Sequence, residues 1–148
     1  MTFGSLRPEL MPGARNAVDT CLAIQPNERV TLIADRASAA VAASLATAIA
    51  ERGAICEPFL LEDLAARPLA RAPQQVLDSL GRNDAGILCM QPLPGELAAR
   101  KDIVGVVERR HIRYAHMVGV TPEIMQQGMR ADYTMVDKLS ERLLQRMH

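Results

Sequence analysis

Tryptophan is missing from this sequence, and Phe and Tyr together make up only 3% of its 148 residues. Any core must therefore be aliphatic, drawn from Ala, Val, Leu, Ile and Met. Net charge is missing too, since seventeen Lys and Arg balance seventeen Asp and Glu. No global field draws such a chain to nucleic acid or to an anionic membrane. Neutrality favours association between chains instead. Cysteine is scarce: Cys21, Cys56 and Cys89 are odd in number and far apart, which excludes a disulfide framework. They also lack the close spacing of metal ligands. All three are read as buried, reduced core residues, and a reducing compartment points to a cytoplasmic protein. Long hydrophobic runs are lacking as well. The longest uncharged stretch, Ala37 to Ala50, contains Ser38, Ser44 and Thr47 and falls short of the roughly 20 apolar residues that span a bilayer. Met1 to Pro12 shows no secretory signal pattern. The expected partners exclude membrane and nucleic acid.

What is present alternates between two periods. Arg29–Ala34, Ala54–Leu61, Ala85–Met90 and Arg113–Val118 are short aliphatic runs of the kind that form buried strands. Pro58 inside the second run marks it as an edge strand or a bulged one. Helical stripes lie between the runs. Ala14, Val18, Cys21 and Leu22 share one face of a first helix. The alanine-rich segment ending at Arg52 carries Val41, Leu45 and Ile49, with Gly53 placed for a C-terminal cap. Val76, Leu77 and Leu80 mark a short helix. In Glu96 to Arg110 the inward stripe is read as Leu97, Val104 and Val107. Thr121-Pro122 is a helix start signal. Asp132 caps a last helix whose inner face is Val136, Leu139, Leu143 and Met147. Met117, Met125, Met129 and Met135 read as gap-filling core. Strand–helix alternation of this kind implies a single α/β domain over residues 1–148, Rossmann-like and three-layered, with a four-stranded, mainly parallel sheet.

Ligands of open α/β sheets bind beyond the carboxyl ends of the strands. The residues there make Asp35, Arg36, Gln91 and Thr121 the candidates for a crevice site. No phosphate-binding glycine fingerprint follows the first strand. Asp35 has three readings open to it: a ligand for Mg²⁺, a hydroxyl-binding group, or a cap of the alanine-rich helix or a surface ion pair. Glu62 and Asp63 are neighbours on a strand end and point apart, which suits a solvated loop. His111, His116 and the terminal His148 lack a ligand spacing such as H-E-x-x-H. Arg100, Lys101, Arg109, Arg110 and Arg113 form a basic cluster without interleaved aromatics, read as the wet face of a helix. From motifs, no catalytic, cofactor or metal residue is expected in this chain.

Several segments together resemble one family. Ala14-Arg15-Asn16, Cys21-Leu22 and Pro26-Asn27-Glu28-Arg29-Val30 resemble the opening of the thermophilic leucine aminopeptidases (aminopeptidase S/T type). Asp84-Ala85-Gly86-Ile87 resembles that family's entry to its third strand. Met117 to Met125 resembles its glycine-threonine turn, and Asp132-Tyr133 with Leu139 to Leu143 the helix that follows. The resemblance covers nearly all of this chain but only the amino-terminal part of the family. It implies a non-catalytic domain that shapes substrate access and subunit contacts. The divalent-metal ligands belong to a carboxyl-terminal domain missing here, so no catalytic residue carries over and the chain is expected to be inactive alone. Self-association, or that missing domain, is the expected partner, with the Val136 to Met147 helix as an exposed apolar surface. A related branch, the dihydroxypyridine ring-opening dioxygenases, has a similar amino-terminal layout. The rival reading is a free-standing binding or assembly module.

Overall fold

The computed structural model describes residues 3–147. Its four strands are β1 (Arg29–Ala34), β2 (Ile55–Leu60), β3 (Ala85–Met90) and β4 (Arg113–Val118). They form one sheet in the order β2-β1-β3-β4, and every neighbouring pair is parallel. Seven α-helices flank it: α1 (Met11–Arg15), α2 (Ala39–Glu51), α3 (Leu61–Leu64), α4 (Gln74–Arg82), α5 (Leu97–Arg110), α6 (Pro122–Gln126) and α7 (Tyr133–Met147). This is the expected three-layer α/β architecture. No helix among the described residues is long and apolar enough to cross a membrane.

Every residue of β3, and every residue of β1 after Arg29, is buried. Strands covered on both faces read as unbroken aliphatic runs for this reason. One core cluster joins Val30, Leu32, Ile87 and Cys89 to α2 and the amino-terminal turns, and it also takes in Met125 of α6. The other packs Ile33, Leu88 and Met90 against Val76 and Leu80 of α4 and Ile103 of α5. Ser44 and Thr47 sit in the alanine-rich layer without loss, because their hydroxyls donate to the carbonyls of Ala40 and Ala43. Gly53, at φ +72°, ends α2 in the left-handed conformation that glycine adopts most readily.

Pro58 lies on an edge strand, as its ring requires. The Ile55 N–H bonds to the Glu28 carbonyl, so Ile55, Glu57 and Phe59 face β1 while Cys56, Pro58 and Leu60 face outward. The N–H that proline lacks would have pointed away from the sheet, and no ladder bond is lost.

Four expectations need correction. Cys21 is exposed and Cys56 half-buried; only Cys89 is buried. Cys21 ends a π-helical turn over Asn16–Cys21, and the wider turn keeps Ala17, Val18 and Leu22 inward while rotating Cys21 out. In α5 the inward residues are Ala99, Ile103 and Val106, whereas Leu97 is 56% exposed. Met125 is buried as expected, but Met135 is exposed. Finally, α7 buries none of its residues, so the stripe of Val136, Leu139, Leu143 and Met147 has no inner side. Asp132 does cap this helix, accepting the Met135 N–H at 3.1 Å.

The amino-terminal turns are tied to residues far along the chain. The Asn16 side-chain amide donates to the carbonyls of Met129 and Ala131, both at 2.8 Å. A Cβ on Gly13 would lie 2.3 Å from the Met125 carbonyl oxygen, so only glycine lets α1 approach α6 this closely.

Candidate functional site

From β1 the chain runs outward to β2, then crosses back to place β3 on the other side of β1. The switch point therefore lies between the carboxyl ends of β1 and β3, where open α/β sheets form their ligand crevice. Asp35 follows β1 and Gln91 follows β3.

Asp35 is fully buried. Its Oδ1 accepts the Ser38 N–H at 2.8 Å, in the turn that leads into α2. Its Oδ2 accepts the Gln91 N–H at 2.7 Å and Nη1 of Arg67 at 2.5 Å. Arg67 enters from the connection after α3, with its side chain only 7% exposed. Its Nε and Nη2 make a two-pronged pair with Glu96 at 2.8 and 2.6 Å, the geometry in which guanidinium matches carboxylate best. Nη2 also donates to the Gln91 carbonyl at 2.7 Å. Glu96 is buried beside it and accepts two backbone N–H groups, from Leu69 at 3.0 Å and Leu93 at 3.2 Å. Glu62 reaches Arg67 from the rim at 3.5 Å.

The guanidinium beside Glu96, helped by those backbone donors, holds the carboxyl down at about 2 against the opposing effect of burial. Arg67 is pushed in the opposite direction, chiefly by Glu96 and then by Asp35. Two buried carboxylates thus surround one cation, and four backbone N–H groups complete their hydrogen bonding. The crevice that would take a ligand in a related sheet is filled by the chain's own arginine.

Of the four candidates, the structure joins Asp35 and Gln91. The Gln91 side chain also donates to the Val120 carbonyl at 2.6 Å, tying β3 to the turn after β4. Arg36 stands at the rim with its side chain 71% exposed; its N–H meets Glu62 at 3.1 Å and its guanidinium meets Asp63 at 3.4 Å. Thr121 is a helix cap, accepting the Ile124 N–H at 3.3 Å. Glu62 and Asp63 are not in a loop but in the short helix α3, each paired to an arginine. Arg67 and Glu96, the two residues that dominate the cluster, escape a reading by motif. The only sequence signal was a charged residue beside each proline-bearing turn, Arg67-Pro68 and Pro94-Gly95-Glu96.

Other reactive side chains stand apart. His111 ends α5 in the left-handed region at φ +52°. His116 is exposed on β4, 3.4 Å from the Tyr114 hydroxyl, and partial burial followed by the charge of Arg100 lowers its pKa. His148 lies outside the described residues. Burial raises the Cys56 thiol to about 11 and pushes Cys89 up further, so neither is a thiolate nucleophile. Among the described residues no group of three His, Cys, Asp or Glu side chains is arranged to hold a metal ion. A surface hollow of about 310 Å³ lies between Phe3, Leu6, Ala43, Thr47, Cys56 and Pro58, on the α2 side of β2. In comparisons with protein-family models and with curated proteins, the chain matches none.

Proposed function

We propose that this chain is the amino-terminal, non-catalytic domain of a metal-dependent leucine aminopeptidase-like protein, where it shapes substrate access and subunit contacts. The carrying observation is α7. It buries no residue, and Met135, Val136, Leu139, Leu143, Leu144 and Met147 are 46–80% exposed. A contiguous apolar patch of this kind is a docking surface rather than a finished exterior. In the family that the sequence resembles, a catalytic domain follows this segment and supplies the divalent-metal ligands. The arginine-filled switch point supports the same reading, because a domain whose own crevice is closed serves its protein through its surfaces. The three unpaired cysteines support a reducing location, the cytoplasm. The dioxygenase-like branch makes the same structural demand and differs in what its second domain does.

Two measurements test the proposal. Reading the gene beyond the His148 codon should reveal an open frame with carboxylate and histidine ligands; a stop codon at that point favours a free-standing module. The purified chain, loaded with Zn²⁺, Co²⁺ or Mn²⁺ and freed of excess, should cleave no leucine nitroanilide. One tightly held ion per chain, with turnover abolished by Asp35→Ala or Glu62→Ala, would overturn the non-catalytic assignment.

A further inference from the structure

The two edges of the sheet differ. On β2 the outward backbone groups belong to Cys56, Pro58 and Leu60, and the proline interrupts them in the middle. On β4 the Gly119 N–H bonds to the Met90 carbonyl, so alternate residues back to Arg113 face β3. The N–H and C=O groups of Tyr114, His116 and Val118 then face outward. Among the described residues no other strand pairs with them. This edge carries no proline and no lysine, the devices that usually protect one.

The helix above this edge is also unfinished. One flank of α5 faces α4: Asp102 pairs with Arg71, and Val106 and Arg109 line a hollow with Leu77 and Arg82. The opposite flank lies over β4, where the charge of Arg100 reaches His116. That flank carries Leu97, Val104 and Val107, none of them buried. It also carries the Nε of Arg100, a buried donor without a hydrogen-bond partner.

We infer that β4 and this flank of α5 form a two-fold interface with a second copy of the chain. The edge is complementary to itself. Antiparallel pairing centred on His116 sets Tyr114 opposite Val118 of the second copy, an aromatic–β-branched pair of the favoured kind. All three outward residues then exchange both of their backbone bonds. The same rotation lays the α5 helices side by side in opposite directions. In the register centred on Val104, Val104 meets its counterpart and Arg100 comes opposite Glu108 of the second copy, an exposed carboxylate. Zero net charge removes long-range repulsion between copies. The inference stands apart from the aminopeptidase reading and needs no second domain.

Sedimentation equilibrium of the full chain tests it. The expected result is a concentration-dependent dimer that Val104→Lys weakens by at least about tenfold. His116→Pro should do the same by giving β4 the interruption that Pro58 gives β2; a circular dichroism spectrum checks that this variant folds. Because that variant can fail to fold, hydrogen exchange on the unmodified chain supplies an independent reading. The amides of Tyr114, His116 and Val118 should slow as the chain is concentrated, while those of Cys56 and Leu60 stay fast. A monomer at every concentration overturns the inference. So does a dimer indifferent to Val104→Lys, one lost on Leu139→Glu alone, or one in which the three β4 amides remain fast.

Discussion

At the switch point three charged side chains are buried and their polar atoms are all engaged; along α7 six apolar side chains stand about half or more in solvent. The first region contradicts the rule that charge stays outside, and the second the rule that large apolar groups stay inside. Each is intelligible by counting partners. Arg67 has three carboxylates and a carbonyl within hydrogen-bond reach, and Asp35 and Glu96 gain backbone donors besides. A buried ion pair is tolerable on those terms, whereas breaking it strands a charge. The α7 stripe has no partner to lose. Two helices of similar length therefore stand in opposite relation to the fold: α5 is anchored through Ala99, Ile103 and Val106, while α7 contributes little burial.

The sharpest way to break this comparison is Arg67→Met, which leaves the buried Asp35 and Glu96 without their shared cation. Urea unfolding should show a loss of about 3–5 kcal/mol; a loss below about 1 kcal/mol would mean that the cluster relaxes and is not a keystone. Acid acts on the same cluster. The Glu96 carboxyl is held at about 2 against an ordinary 4.5. Its contribution is complete above pH 4.5 and is lost as pH falls from 4.5 toward 2, on the order of 3 kcal/mol in all. Glu96→Gln should flatten the pH dependence in that window, as read from unfolding midpoints at a series of pH values. The smallest effect belongs to the other region. Leu139→Ala on α7 should change stability by no more than about 0.5 kcal/mol, the range of a surface position. A core-sized loss would show that α7 packs on this domain after all.

The two central strands were legible because both of their faces are covered, leaving no alternation to misread. Three of the four have the bounds read from the sequence, and β2 is one residue shorter at each end. The inward face of α5 was not legible. Leu97, Val104 and Val107 make one helical stripe and Ala99, Ile103 and Val106 another, and the two differ only in which side meets the sheet. Asp35 and Gln91 were found because strand ends are placed by topology. Arg67 and Glu96 were missed because their partners lie 32 and 29 residues away, and nothing local to an arginine before a proline marks it for burial. The left-out residue of the motif reading was thus the one that fills the crevice.

The bonds from Asn16 to the carbonyls of Met129 and Ala131 also have a consequence in time. During synthesis the chain emerges at about 5–20 residues per second, and Asn16 leaves the ribosome 115 residues before its second acceptor. Until residue 131 is clear of the ribosome, the Asn16 side-chain amide lacks the second of its two backbone acceptors.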